Sequence, residues 1–210
     1  MPRVKVALAT VWLGDKFQER IETFLSSISL IPRKYDDFEL DLLIRAQSYP
    51  RDWVSKFEQS GEVFETSESI SRSGWKRSRN ELLERALIGT SDWIYMVDDD
   101  FIFHKPDRFW EIFKYLTLLP DDYGLAILKH TKSDGIYHRS TFAKETEWMS
   151  HGLVLPTVHW RHWLKDYQSY STIEEDQWMS VLAQLKGYPL VRLFQPGIVE
   201  HHDYGKSLST

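Results

Sequence analysis

The first half of the chain alternates apolar segments of strand character with amphipathic segments of helical spacing. The first strand runs from Val4 to Val11, and apolar residues between Phe17 and Ile28 then recur at helical spacing. Strands that alternate with helices are typical of a parallel sheet with helices on both faces. The sequence therefore predicts an α/β fold with a mostly parallel central sheet.

The same periodicities predict the remaining elements. Further strands are expected at Phe38–Ile44, Val63–Phe64, Trp93–Val97, Leu125–Leu128, Gly152–Leu155, Leu190–Phe194 and Ile198–His202. Further helices are expected at Trp53–Phe57, Leu82–Leu87, Phe109–Leu116, His159–Leu164 and Trp178–Leu185. The polar segment from Thr131 to Ser150 fits a hairpin or a mobile loop. This mixed second half indicates a smaller antiparallel addition at one edge of the sheet.

Composition narrows the classes of protein that the chain can belong to. Its 210 residues suit one domain, and a hydrophobic content of 42% argues against disorder. The absence of cysteine excludes disulfides, thiolate metal sites and cysteine nucleophiles. A net charge of -5 disfavours non-specific binding to nucleic acid. With no apolar stretch of membrane-spanning length and no signal-peptide core, we expect a cytoplasmic protein without a membrane span.

Three consecutive aspartates, Asp98, Asp99 and Asp100, directly follow the apolar segment Trp93–Val97. Adjacent carboxylates repel one another, so a triplet is costly unless positive charge lies among them. At the end of a parallel strand the triplet would lie at the carboxyl edge of the sheet, where open α/β sheets bind ligands. Strand alternation predicts that Asp98 and Asp100 face one way, as suits a divalent cation, and Asp99 the other. An acidic, solvated turn is the simpler alternative.

A basic run precedes the triplet, and an acidic helix start follows it. The run Gly74–Asn80 stands ahead of a helix, and Glu174–Trp178 opens a later helix that ends at Gly187. A histidine pair, His201–His202, stands near the end of the chain. Each feature alone has an ordinary explanation, because basic runs are usually solvated and the helix dipole favours acids in a first turn. The ordered combination is more specific than any one of its members.

This combination resembles the sugar-nucleotide-dependent glycosyltransferases of the GT-A fold, particularly the inverting family 2 type. The resemblance extends from Val4 to about Ser207. Its motifs are an Arg-Asn element at Arg79-Asn80, an Asp-x-Asp motif at the triplet and a Glu-Asp pair at Glu175-Asp176. It implies metal-dependent, inverting transfer of a sugar from a nucleotide diphosphate sugar to an acceptor hydroxyl.

The resemblance also implies one Rossmann-like GT-A domain over residues 1–210. Residues 1–100 would form the half that binds the nucleotide sugar, and residues 101–210 would form the acceptor and catalytic half. Antiparallel strands would lie on the acceptor side of the central sheet. No repeat or linker in the sequence divides the chain further.

A bound Mn²⁺ or Mg²⁺ is part of what the resemblance implies, because a divalent cation neutralises the charge that grows on a departing diphosphate. Asp100 would be the leading ligand, and Asp98 would contact the ribose, or the metal through water. His202 or His201 would supply a further ligand. We prefer His202, because it begins a His-x-x-Gly-x-Ser ending. An imidazole beside carboxylates suits Mn²⁺ better than Mg²⁺.

The other site residues that the resemblance implies fall into donor, base and acceptor groups. Donor contacts would come from Thr10, Val11, Lys76, Arg79, Asn80, Asp98 and Asp99. The general base would be Asp176, with Glu175 second, because a carboxylate within reach can take the acceptor's proton. The acceptor would be lined by Trp148, His151, Gly152 and Trp178.

Two alternatives and several gaps stay open at the level of sequence. A sugar-phosphate nucleotidyltransferase also pairs acidic groups with a metal, but it normally begins with a glycine-rich loop, which Thr10–Asp15 is not. A non-enzymatic carbohydrate- or nucleic-acid-binding module could use the tryptophans and the basic stretch Arg72–Arg79. Relatives often hold the nucleobase with an acid where this chain has Ile44–Gln47. The acceptor could be a glycan, a small metabolite, a protein or a hydroxymethylated base in DNA.

Overall fold

Strands and helices alternate along the residues that the computed structural model describes, which are 2–12, 14, 18–66, 74–119, 123–129, 143–145, 152–169, 175–194 and 199–201. The strands are β1 Arg3–Val11, β2 Lys34–Tyr35, β3 Phe38–Gln47, β4 Glu62–Thr66, β5 Trp93–Val97, β6 Phe101–Phe103, β7 Leu125–Lys129, β8 Ala143–Glu145, β9 Leu153–Pro156, β10 Leu190–Phe194 and β11 Val199–His201. The helices are α1 Gln18–Ser29, α2 Arg51–Ser60, α3 Gly74–Leu87, α4 Phe109–Leu116, α5 Thr157–Gln168 and α6 Glu175–Leu185, with a 3₁₀ turn at Pro106–Arg108 before α4.

One large sheet organises the molecule. Its strands lie in the order β2-β3-β1-β5-β9-β7-β10-β8, and β4 also pairs with β3. Strands β1, β3, β4, β5, β7 and β10 run in one direction, and β2, β8 and β9 run in the other. The prediction of an α/β fold with a mostly parallel central sheet is therefore confirmed.

The antiparallel strands occupy places that the sequence did not fully indicate. Strand β8 lies at one edge of the sheet, as an antiparallel addition should. Strand β9 lies in the interior instead, between β5 and β7. A second, two-stranded sheet pairs β6 with β11 and brings the end of the described chain back to the residues that follow β5.

Side chains from alternate positions of β1 pack on opposite faces of the sheet, as strand geometry requires. Val4, Val6 and Leu8 belong to the core that α1, α2 and α4 cover. Ala7 and Ala9 belong to the core that α3, α5 and α6 cover. Helices on both faces are thus confirmed, and large aromatic residues of α4 and α5 are fully buried between the helices and the sheet.

Two helix boundaries bear on the later argument. Helix α3 begins at Gly74 itself, so the basic run forms its first two turns and does not precede it. Helix α6 begins at Glu175 and is followed by Gly187, whose φ of 82° is the left-handed conformation that glycine adopts at helix ends. Of the polar segment from Thr131 to Ser150, only β8 belongs to the described residues.

The carboxyl edge of the sheet collects the ends of several elements. Helix α1 follows β1 and so begins at this edge. Helices α3 and α6 each precede a strand of the parallel set, β5 and β10, so their first turns lie at the same edge. None of the described helices combines the length and apolar character needed to cross a membrane.

Candidate functional site

The three aspartates form a turn at the carboxyl end of β5, which we call the acidic turn (Asp98, Asp99 and Asp100). The strand ends at Val97, and the amide of Phe101 donates to the carbonyl of Asp98 at 3.3 Å, which closes the turn. All three carboxylates are mostly buried, with side chains 12%, 15% and 15% exposed. The alternative of a fully solvated acidic loop does not fit this burial.

The first carboxylate of the acidic turn is held from α3. Arg79 Nη2 lies 2.5 Å from Asp98 Oδ1, and both side chains are about nine-tenths buried. A charge-assisted hydrogen bond of this kind fixes both partners more firmly than a neutral one. The structure thus brings together two residues that the sequence placed in one site, and it also shows that each is a partner of the other.

Arg20, in the first turn of α1, holds the other two carboxylates. Its Nη2 contacts Asp99 Oδ1 and lies 3.4 Å from Asp100 Oδ2. The prediction that Asp98 and Asp100 share one side, opposite Asp99, is therefore wrong, because it assumed a continuing strand where the chain turns. Sequence reasoning missed Arg20 because the helical pattern of α1 drew attention only to its apolar face. One signal in the sequence could have indicated Arg20: it is a basic residue shortly after β1, at the edge of the sheet where ligands are expected.

Two linked hydroxyl groups, those of Thr10 and Tyr49, hold the carboxylate of Asp99 in place. Thr10 Oγ1 donates to Asp99 Oδ2 at 2.7 Å and lies 2.6 Å from the hydroxyl of Tyr49. Because the single Thr10 proton goes to Asp99, Tyr49 is the donor in the second bond. Burial raises the pKa of Tyr49, so this phenol stays protonated at neutral pH. Thr10 is completely buried, so its side chain positions Asp99, and a nucleobase against the backbone of Thr10 and Val11 stays a prediction.

Burial and neighbouring charges act in opposite directions on the acidic turn. Burial raises the pKa of Asp99, while Arg20 and the Thr10 hydrogen bond act in the opposite direction. Arg20 and Arg79 contact these carboxylates at an edge where parallel sheets bind ligands.

A second charged cluster, formed by Arg45, Glu81, Arg77, Ser78 and Gln47, lies between β3 and α3, and we call it the buried arginine network. Arg45 is 2% exposed and donates to Glu81 Oε2 from two nitrogens, at 2.9 and 2.7 Å. It also donates to Ser78 Oγ at 2.7 Å and Gln47 Oε1 at 3.2 Å. Burial opposes ionisation of Glu81, but hydrogen bonds from Arg77 and Arg45 hold its pKa below the ordinary value. The basic run is thus partly structural.

Backbone pairing places two further predicted residues beside the acidic turn. The pairing of β11 with β6 sets the backbone of His201 opposite Phe101, the residue after Asp100. Strand β9 pairs Leu153 with Met96, so Gly152, with a φ of 62°, stands level with Val97. His202, Trp148 and His151 lie outside the described residues, as do the side chains of Lys76, Glu175, Asp176 and His201.

Trp178 does not have the exposure that the acceptor role requires. It is 8% exposed, packs in the core between α5 and α6, and donates its indole N–H to the carbonyl of Tyr167 at 2.9 Å. A stacking platform needs a free ring face, so the prediction that Trp178 lines the acceptor site is wrong. Its spacing with Val181 and Leu182 belongs to the apolar face of α6.

The acidic turn partly fits a divalent metal. Among the described side chains, no three carboxylate or imidazole groups come together as a complete metal site. Carboxylate oxygens with an imidazole are nevertheless a donor set that Mn²⁺ accepts, and the backbone of His201 runs beside Asp100. Arg79 contacts Asp98, and Arg20 contacts both Asp99 and Asp100. The carboxylates suit a divalent cation in their donor chemistry, and Asp100 as its leading ligand stays a prediction.

A cavity of about 560 Å³ lies at the opposite edge of the sheet. Its lining includes Asp92 and Trp93 from the start of β5 and His159 and His162 from α5. Arg161, also in the lining, donates to the carbonyls of Leu87, Gly89 and Ser91. The cavity lies at the amino end of β5 and the acidic turn at its carboxyl end, so the length of β5 separates the two sites.

Comparison with known proteins identifies the fold. No protein-family model and no curated protein sequence matches the chain. Solved structures do match: TarS from S. aureus, residues 1–349, superposes with a TM-score of 0.66 at 15% identity over 95% of this chain and 60% of that one. The same protein in complex with UDP-GlcNAc gives a TM-score of 0.63 at 16% identity, over 100% of this chain and 61% of that one.

Two other solved structures have a similar fold and belong to enzymes of two different classes. The glycosyltransferase GlyE from Streptococcus pneumoniae has a TM-score of 0.52 at 15% identity, over 90% of this chain and 45% of that one. The nucleotidyltransferase 4-diphosphocytidyl-2C-methyl-D-erythritol synthase from Anaerococcus prevotii has a TM-score of 0.59 at 11% identity, over 93% and 87%. The chain thus shares the GT-A-like α/β fold of these structures, and it spans about three fifths of the length of the TarS fragment.

Proposed function

We propose that the protein is a metal-dependent glycosyltransferase that moves a sugar from a nucleotide diphosphate sugar to an acceptor hydroxyl. The observation that carries this proposal is the acidic turn, a set of three mostly buried carboxylates at the ligand edge of a GT-A-like sheet. A metal ion would offer positive charge to these carboxylates, and a diphosphate would offer anionic oxygens to the nearby arginines.

The donor would lie along the first turns of α3 and the end of β1. Arg79, with Lys76 one turn earlier in α3, would face the diphosphate. The carboxamide oxygen of Asn80 is buried and has no hydrogen-bond partner among the described residues, which leaves it available to accept from a donor hydroxyl. Val11 ends β1 and would lie against the nucleobase.

A divalent cation would be held by Asp100 and by His202 or His201. Asp98, which pairs with Arg79, would contact the ribose, or the metal through a water, and Asp99 would contact the sugar or the ribose. When bound, the cation would stabilise the negative charge that develops on the leaving diphosphate. The protein's own part is to fix the carboxylates, as Thr10 does for Asp99 and Arg79 does for Asp98.

The acceptor side would be formed by the first turn of α6 and the residues before β9. Asp176, with Glu175 second, lies at the carboxyl edge and would take the proton of the attacking hydroxyl. Attack from the face opposite the diphosphate inverts the anomeric centre. Gly152, with His151 and Trp148, would line the acceptor pocket. The candidate acceptors are a glycan, a small metabolite, a protein and a hydroxymethylated base in DNA.

A thermal-shift panel of nucleotide sugars tests the donor part directly. UDP-, GDP-, CDP-, ADP- and dTDP-sugars are added with MnCl₂ or with EDTA, and a ligand at 100 times its Kd stabilises by about 2.7 kcal/mol. We expect at least one donor to raise the Tm with Mn²⁺ and to be hydrolysed slowly to the nucleoside diphosphate. If no sugar nucleotide shifts the Tm under either condition, the proposal is wrong.

The same preparation separates the nucleotidyltransferase alternative. Such an enzyme would consume a nucleoside triphosphate and a sugar phosphate and would release pyrophosphate. The segment Thr10–Asp15 contains one glycine, and Arg20 lies on the helix that follows, so the glycine-rich loop of that class is missing. Pyrophosphate release with triphosphates, and no release of nucleoside diphosphate from sugar nucleotides, would favour the alternative.

A further inference from the structure

The guanidinium of Arg20 lies close to the position that a cation bound to Asp100 would occupy. Its Nη2 touches Asp99 and lies 3.4 Å from Asp100, so one guanidinium serves two adjacent carboxylates. A divalent ion bound to Asp100 would bring two positive charges within a few ångströms of this group. Like charges at that separation repel, so the guanidinium and the ion compete for the same anions.

The contacts of Arg20 are less complete than those of the other buried arginines. Its Nε is buried and has no hydrogen-bond partner among the described residues. Its side chain is 18% exposed, whereas that of Arg79 is 10% exposed and that of Arg45 is 3% exposed. A guanidinium with an unmatched donor and some solvent access is easier to displace than one whose hydrogen bonds are all made.

We propose that Arg20 is the resident counter-cation of the acidic turn, which occupies the position of the divalent metal until the metal displaces it. This inference rests on the proposed function, because it assumes that a divalent cation binds at Asp100. It assigns Arg20 a role in setting metal affinity, and it predicts that the donor-free protein binds Mn²⁺ more weakly than its carboxylates alone would.

The test is calorimetric titration of Mn²⁺ into metal-free protein with no nucleotide present. Arg20→Gln removes the competing charge, and we expect Mn²⁺ to bind about tenfold more tightly than to wild type. The matched control is Arg3→Gln, which makes the same charge change at the opposite end of β1, where Arg3 pairs with Glu39, and should leave Mn²⁺ affinity unchanged. Unchanged or weaker binding to Arg20→Gln overturns the proposal.

Arg20→Lys covers the case in which the glutamine variant fails to fold. Lysine keeps the charge but lacks the planar guanidinium whose Nη2 contacts both carboxylates, so we expect Mn²⁺ to bind about threefold more tightly than to wild type. An affinity equal to that of wild type contradicts the proposal, and so does the absence of Mn²⁺ binding in every variant. Because no nucleotide is present, these results are independent of whether a sugar nucleotide binds.

Discussion

The acidic turn and the buried arginine network both pair arginines with carboxylates, but they differ in how many hydrogen bonds their buried arginines make. In the network, Arg45 donates to Glu81, Ser78 and Gln47, and Arg77 also donates to Glu81. Arg45 is the buried arginine of the network, since the side chain of Arg77 is 61% exposed. In the acidic turn, by contrast, the Nε of Arg20 is buried and has no hydrogen-bond partner among the described residues.

The difference separates a structural role from a functional one. A buried charge whose partners are all present has no reason to bind anything further, and its removal costs stability. A buried cluster with an unmatched hydrogen-bond donor is costly by itself, and a ligand that completes it lowers that cost. We therefore expect changes in the acidic turn to alter metal and donor binding, and changes in the buried arginine network to alter folding.

Asp100→Ala should give the largest effect, because it removes the leading metal ligand. We expect turnover to fall by about 10³-fold or more, since a bound metal supplies several kcal/mol of transition-state stabilisation. Mn²⁺-dependent binding of nucleoside diphosphate, measured by calorimetry, should be lost as well. Asp166→Ala is the control, since Asp166 is an exposed partner of Lys186 on α5. Wild-type calorimetry for Asp100→Ala would remove the carboxylate from the metal site.

Asp176→Asn should separate chemistry from binding. We expect transfer to slow by about 10²- to 10⁴-fold while the Kd of the donor stays unchanged, because only the proton acceptor is lost. Glu175→Gln, the neighbouring acid in the first turn of α6, should have the smaller effect. Near-normal transfer by Asp176→Asn, or a larger loss in Glu175→Gln, would move the base to another residue.

His202→Ala should raise the Mn²⁺ concentration that gives half-maximal activity by about tenfold, since an imidazole ligand is lost. His201→Ala is the natural comparison, because the backbone of His201 pairs with Phe101 beside Asp100. His162→Ala, in the cavity at the opposite edge, should leave the metal requirement unchanged. An effect at His201 alone would exchange the two assignments.

Glu81→Gln should change folding and leave the metal requirement alone. Loss of the charged acceptor should lower the free energy of unfolding by about 1–3 kcal/mol at neutral pH. The folded-state pKa of Glu81 is lowered, so its contribution is present above the ordinary carboxyl pKa and is lost as pH falls through the folded value. The Tm difference between wild type and variant should therefore shrink below about pH 4. A difference independent of pH would contradict this.

The sequence predicted the fold well because periodicity reports directly on burial. Val4, Val6 and Leu8 alternate in the sequence and pack on one face of the sheet. The position of β9 could not be read, because Leu153–Pro156 has the same apolar pattern whether it lies at an edge or between β5 and β7. Strand order depends on long-range pairing, which local pattern does not encode.

The candidate site was predicted in part, for a similar reason. The acidic turn and Arg79 stand out by composition, and the structure places them in contact. Arg20 and Tyr49 did not stand out, since each is an ordinary residue in its local sequence and acquires its role only through Asp99 and Thr10. The prediction for Trp178 was wrong because the sequence alone does not distinguish a tryptophan that stacks on a ligand from one that packs in the core. Its burial decides between the two.

Crystals soaked with MnCl₂ and a nucleoside diphosphate, measured for the anomalous signal of manganese, test the central claim most directly. The account predicts an anomalous peak within coordination distance of Asp100, with the diphosphate between that peak and α3. A nucleotide bound in the cavity beside Asp92 and His159, or an acidic turn still closed on Arg20 with no manganese at saturating concentration, would contradict it.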